Sequence, residues 1–382
     1  MSNQIRRLVN TSFALGFVFL IQVAAVGQDG KSISSLKFID EYVYPHNRFF
    51  RNTVVGGLSG IDYDPANDIY YLICDDRSER NVARYYTARI AVSENGIDTV
   101  IFTDFKPLLD STGRPYPGVR ENKWRTPDPE SIRYNRVTQE VVWSSEGERA
   151  IGKDTVLVDP VIQVIGPDNK YRSRYQLPAN LRMQAAASGP RQNSVLESLA
   201  FSDDFTSLYT CVEEPLYEDG PPASTEETRS WVRIYRFDTK RQTNTAQYAY
   251  KLEKVAYPAS PPTAMKINGV SDILSAGPDK LLTIERSFST GHLNLVVKVF
   301  LTDLSNAENI AGNPSLVKTP PRKPATKKLI FDMSQLDLLI DNIEAVTFGP
   351  VLLNGHQTLI FVADDNFKFF EKNQFLLFEV IP

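Results

Sequence analysis

Cysteine and histidine are scarce in this chain. Cys74 and Cys211 are the only cysteines, and His46, His292 and His356 the only histidines, of 382 residues. None falls in a Cys-x-x-Cys or zinc-ligand spacing, which argues against a metal centre built on sulfur or imidazole. Both cysteines sit in apolar, strand-like runs, where a free thiol behaves as a small hydrophobe. A disulfide between them is the alternative open to an exported protein. A basic excess is missing too: the formal net charge is −4. That gives no global electrostatic footprint for nucleic acid or for an anionic membrane, so a polyanionic partner would need a local concentration of basic residues. No glycine-rich phosphate loop is present. The stretch "GGLSG" at 56–60 leads into a strand pattern rather than a helix and lacks nucleophile-elbow spacing, so Ser59 is poorly supported as a nucleophile. Nor is there a convincing amphipathic helix longer than two turns.

Long apolar runs are absent except at the start. Arg6 and Arg7, the apolar stretch Phe13 to Val26 and the small residues Ala25-Val26-Gly27 have the layout of a signal peptide over residues 1–27. An uncleaved anchor is the alternative, but the run is short for a bilayer span of roughly 20 residues. The expectation is a chain exported to the periplasm or beyond, with no stable membrane insertion after cleavage, whose residues 28–382 form one domain and act as a monomer.

What the chain has in abundance is a recurring hairpin. "SGIDYDPANDIYYLICDDR" at 59, "ESIRYNRVTQEVVWSSEGER" at 130, "ESLAFSDDFTSLYTCVEEP" at 197 and "EAVTFGPVLLNGHQTLIFVADDN" at 344 each read strand, turn, strand. A weaker copy, "GVSDILSAGPDKLLTIERS", starts at 269. Two further strand patterns follow each of the copies at 59, 130, 197 and 269. The last unit runs out after "QFLLFEVI", while "SLKFIDEYVY" at 35–44 stands alone before the first. The sequence therefore predicts an all-β fold, a β-propeller of four-stranded blades whose ring is closed by the N-terminal strand. Five units are countable; a sixth would have to be concealed in a long insertion.

In such a fold the start of strand one and the end of strand two meet at the same rim of the central channel. Glu130 with Glu146, Glu197 with Glu213, and Glu344 with Asp364 bracket their hairpins there; the first unit offers Asp75 and Asp76 behind Ser59, and the fourth Glu285 behind Gly269. A charged strand end is ordinarily just solvated, but recurrence in every unit points to a shared mouth. Crowded carboxylates either hold protons or recruit a cation. The oxygen-only set Asp75, Asp76, Glu130, Glu146, Glu197, Glu213, Glu285, Glu344 and Asp364 suits Ca2+, with Mg2+ or Mn2+ as alternatives. Arg77, Arg149 and Arg286 follow these acids and could hold a phosphate bidentately or simply pair with their neighbours. Long connections at 107–129, 181–196, 214–230 and 256–268 fall on the same rim, and Lys123, Trp124 and Arg125 in the first are candidate substrate contacts. The proline-rich stretch 313–328 is expected on the far rim as a mobile insertion.

The segments "GGLSGIDYD", "PESIRY", "LESLAF", "LLTIERSF" and "NIEAVTF" with their downstream acids resemble the family called esterase-like activity of phytase. The resemblance implies a propeller with a phosphoesterase role, related by name to calcium-dependent propeller phytases. On that reading the protein is a secreted, Ca2+-dependent phosphoesterase of a phosphorylated small molecule. The acids would hold the metal, with Glu130, Glu197 and Glu344 at the reacting centre, and Arg77, Arg149 and Arg286 would steady the phosphate. Paired carboxylates also suit a glycoside hydrolase. A hydrolase of another ester or lactone, or a non-catalytic ligand- or protein-binding propeller, would use the same rim.

Overall fold

The computed structural model describes residues 32–227 and 229–382; the expected signal peptide lies outside them. Five four-stranded antiparallel sheets form a ring, a five-bladed β-propeller. Blade 1 is Leu58–Asp64, Ile69–Cys74, Arg84–Ser93 and Gly96–Pro107. Blade 2 is Pro129–Asn135, Glu140–Ser145, Val161–Ile165 and Tyr171–Arg174. Blade 3 is Leu196–Phe201, Ser207–Val212, Trp231–Asp238 and Thr243–Lys251. Blade 4 is Lys266–Ser275, Lys280–Ser289, Val296–Asp303 and Thr326–Asp332. Blade 5 is Asn342–Val351, Gln357–Asp364, Asn373–Ile381 and, as its outer strand, Ser35–Tyr44.

The recurrent hairpin is the inner half of every blade, and its turn chemistry is local. Each inner turn carries a residue with positive φ: Asp68, Gln139, Phe205, Asp279 and Gly355. Asp64, Asn135 and Asp204 fold their side chains back onto backbone N–H groups of the turn, the Asx chemistry that makes such residues turn formers. Between blades, the β-branched and aromatic faces of adjoining sheets interlock; Trp143, Phe361 and Phe378 are among the largest side chains with no exposed surface. Cys74 and Cys211 are both buried and free, in line with their apolar settings.

At the axis one ion pair touches every blade. The Arg133 guanidinium of blade 2 donates to the Ile61 carbonyl of blade 1, to Leu199 O of blade 3 at 2.6 Å, and to Ile273 O and the Asp272 carboxylate of blade 4 at 2.9 and 2.8 Å. Asp272 Oδ2 in turn accepts from Val346 N–H of blade 5 at 2.9 Å.

The stretch 313–328 departs from expectation. The connection between the outer strands of blade 4 climbs the exposed edge of blade 3: Ile310 N–H donates to Gln247 O at 2.8 Å and Ala325 N–H to Ala249 O at 2.9 Å. Leu316 N–H reaches Asp219 Oδ1 at 3.0 Å, and Arg233, paired with Asp219, donates to Asn313 O. With Leu316 and Ile310 buried against Ala249, the insertion is an edge cover that satisfies backbone groups an outer strand would otherwise leave free.

Candidate metal and phosphate site

A repeated backbone irregularity builds the mouth. In each inner hairpin the register slips near the start of strand one: between Leu58 and Gly60, Pro129 and Ile132, Leu196 and Ser198, Val270 and Asp272, and Ile343 and Ala345. Such a bulge re-aims the residue it leaves unpaired. The bulged positions are Ser59, Glu130, Glu197, Ser271 and Glu344. The residues that precede them pair with Cys74, Ser145, Val212, Glu285 and Ala363, so the next residues on strand two are Asp75, Glu146, Glu213, Arg286 and Asp364.

This register revises the fourth unit. Ser271 and Arg286, rather than Gly269 and Glu285, occupy the two ring positions. Glu285 turns elsewhere, accepting from Tyr250 Oη at 2.6 Å, Asn268 Nδ2 at 2.6 Å and Lys327 Nζ at 2.6 Å. Gly269 has a different use: a Cβ there would lie 2.5 Å from Glu213 Cγ, so its missing side chain is what lets Glu213 approach blade 4.

Arg286 thus enters the ring as the fourth blade's contribution. It donates to Glu344 and Asn342, and to Glu213 Oε1 at 2.9 Å. Arg77 lies 3.3 Å from Asp128 Oδ2 and 2.8 Å from Glu148 Oε2. Asp128, two residues before Glu130 in "DPES", joins the cluster although the hairpin spacing did not select it. Two sets of carboxylates have oxygens all within 4.8 Å of one another: Asp128, Glu130 and Glu146, and Glu130, Glu197 and Glu344. Glu130 is common to both.

The remaining candidates have different surroundings. Asp76 accepts the N–H groups of Glu79, Arg80 and Asn81 and pairs with Arg84 at 2.8 Å, which orders the loop after blade 1's second strand. Arg149 donates to the carbonyls of Gln184, Ala185 and Ala186; none of its hydrogen bonds goes to a carboxylate. Lys123 stacks over Trp124 at 4.9 Å, and Arg125 pairs with Asp110. His46, on the same rim, lies 3.1 Å from Asp365.

Burial of so many acids has an electrostatic consequence. Among the described residues, Arg77 and Arg286 are the cations that pair with members of the set Asp75, Asp128, Glu130, Glu146, Glu197, Glu213, Glu344 and Asp364. Desolvation first, then mutual repulsion, pushes Asp75, Glu130, Glu146, Glu197 and Asp364 well above the usual carboxylate range. Desolvation raises Asp128 to about 6 against the pull of Arg77, and Glu213 to about 7 against Arg286.

The donor set fits a hard divalent cation. Every donor is oxygen, and two oxygens on one Ca2+, each at about 2.3–2.6 Å, lie within roughly 5 Å of each other, the spacing seen here. Asp75 Oδ1, Ser59 Oγ and Ser271 Oγ are buried without a hydrogen-bond partner, which is costly unless something else satisfies them. These are ring positions, so the bulged residues offer three carboxylates and two unsatisfied hydroxyls.

The pH dependence of the protein in chelator follows. Groups whose folded-state pKa is raised bind more protons folded than unfolded, so stability falls as pH rises through the window from about 4 to about 7. At about 1.4 kcal/mol per unit, the loss is on the order of a few kcal/mol. Thermal denaturation in chelator is expected to give a higher melting temperature at pH 5 than at pH 8. A flat or inverted profile would show that the acids are not buried together.

Solved structures similar in fold include a periplasmic gluconolactonase of Pseudomonas aeruginosa, 11% identical, covering 93% of this chain and 96% of that one at a TM-score of 0.39. An exo-β-1,3-galactanase from Phanerochaete chrysosporium is 11% identical, covering 89% and 64% at 0.44, and a mannose phosphorylase from Leishmania mexicana is 11% identical, covering 88% of each at 0.41. Likeness at this level carries nothing about activity. Among curated proteins no sequence matches. The family model Phytase-like, described as esterase-like activity of phytase, matches residues 53–367, and the chain belongs to that family.

Proposed function

We propose that this hydrolase-like propeller is an exported, Ca2+-dependent phosphoesterase acting on a phosphorylated small molecule. The observation that carries this reading is Glu130 shared between two carboxylate triads, with the unsatisfied hydroxyls of Ser59 and Ser271 at equivalent ring positions. Glu130, Glu197 and Glu344 would hold one ion, and Asp128 and Glu146 would extend the site to a second through Glu130. Bound Ca2+ would supply electrostatic stabilisation of the charge that develops on phosphoryl oxygens.

The chain's own cations would position the substrate. Arg286 is anchored by Glu213, Glu344 and Asn342, so its guanidinium is held in place before a phosphate arrives. Arg77 is fixed by Asp128 and Glu148, and its buried Nε has no acceptor. Preorganised donors of this kind cost little reorganisation when charge builds up on the substrate.

The test is hydrolysis of p-nitrophenyl phosphate. Activity that disappears in chelator and returns with Ca2+ is expected. Turnover of a p-nitrophenyl acetate, lactone or glycoside in its place would move the assignment to those bonds. Ca2+ binding by calorimetry without turnover of any of them would make the propeller a ligand-binding module.

A further inference from the structure

The exposed aromatic side chains are not spread evenly over the molecule. Among the described residues, the exposed Phe and Trp side chains are Phe49, Trp124, Phe369 and Phe370, at 56–84% exposure. All four lie on connections that the strand directions place at the carboxylate rim. The exposed large apolar residues of the inner turns on the opposite rim are Val137, Val351 and Leu353, none of them aromatic.

These four rings belong to one continuous sector. His46 bonds Asp365, joining the connection before blade 1 to that of blade 5. Arg80 stacks on Phe367 at 4.8 Å, and Ser78 Oγ donates to Tyr116 O, which ties in the loops on either side of blade 1's outer half. Charge in the sector opposes that of the whole chain. Residues 45–57, 77–83, 108–127 and 366–372 hold ten Lys and Arg against four Asp and Glu, in a chain of net charge −4. Arg48, Arg114 and Arg120 enter no ion pair among the described residues.

Exposed rings interleaved with unpaired basic residues suit the boundary between lipid headgroups and acyl chains, where aromatic rings anchor and Lys or Arg meet anionic lipid. We propose that this sector docks the protein on an anionic bilayer surface, setting the carboxylate mouth beside the headgroups. Charge complementarity selects an anionic surface over a neutral one. A docked face of this kind is peripheral and involves no spanning segment; no helix among the described residues is long and apolar enough to cross a membrane. The inference goes beyond the hydrolase reading, since docking is measured without substrate.

The chain from Gln28 onward, which contains every described residue, can be mixed with vesicles of phosphatidylcholine alone or with one third phosphatidylglycerol. Partitioning onto the anionic vesicles at least tenfold above the neutral ones is expected, weakening as salt rises. Trp143 is buried and Trp231 partly so, whereas Trp124 is exposed, so the fluorescence shift to the blue on binding reports this sector. F369S/F370S together with R48E should lower partitioning at least tenfold at unchanged melting temperature, and L353S on the opposite rim should not. No binding to anionic vesicles, equal binding to both compositions, or undiminished binding by the triple variant overturns the proposal.

Discussion

Glu130→Gln is expected to weaken Ca2+ binding at least a hundredfold while raising the melting temperature of the protein in chelator by a few degrees. The two effects have one cause. Glu130 belongs to both carboxylate triads, and a hundredfold loss corresponds to about 2.8 kcal/mol, reasonable for removing a charged ligand shared by the two proposed ion sites. Without metal the same carboxylate is a liability: desolvation and the charges of Glu197, Asp128, Glu146 and Glu344 all work against its ionised form. Glutamine keeps the shape and removes the charge. Calorimetric titration with Ca2+ and a melting curve in chelator read the pair of effects. Glu285→Gln serves as the contrast, because Glu285 is committed to Tyr250, Asn268 and Lys327; it should leave affinity within about twofold and lower stability, as expected when a buried, paired charge is removed. Unchanged affinity in Glu130→Gln would dismiss the metal assignment.

The second large effect concerns stability alone. Arg133→Met should destabilise the protein by about 3–5 kcal/mol, the usual cost of stranding a buried charge by removing its partner. Burial already lifts Asp272 to about 6 despite Arg133. Without the guanidinium its ionised form is worse still, so the destabilisation should grow with pH. The double variant Arg133→Met with Asp272→Leu should recover a large part of the loss, since a well-packed apolar pair often replaces a buried ion pair without penalty. Urea denaturation at pH 5 and pH 8 compares the three proteins. A single variant no less stable than the double would mean that the pair is not what holds the axis.

The architecture was legible because each blade repeats one local code. Alternating β-branched and aromatic residues, an Asx-rich turn and a fixed spacing recur closely enough to count, and "SLKFIDEYVY" left over at one end matched the strand missing at the other. The site was legible only to the extent that the code stayed constant. In the fourth unit the two ring residues, Ser271 and Arg286, are 15 positions apart instead of 16 and neither is acidic, so a search for acids at a fixed interval lands on Gly269 and Glu285. Asp128 escaped because it comes from the entering loop. The stretch 313–328 was misread as mobile for a related reason. Its polar, proline-rich sequence says nothing about the carbonyls of Gln247 and Ala249, which exist as acceptors only once blade 3 has formed.

The pairing of Ser35–Tyr44 with Asn373–Ile381 also fixes an order of events. Among the described residues, Ser35–Tyr44, which precedes all five inner hairpins in the chain, has its sheet partner in Asn373–Ile381, which follows all five. Until Asn373–Ile381 has emerged, Ser35–Tyr44 has no strand to pair with and the ring stays open. A chain that cannot lock until its last blade meets its first strand can still be threaded, end first, through a narrow pore.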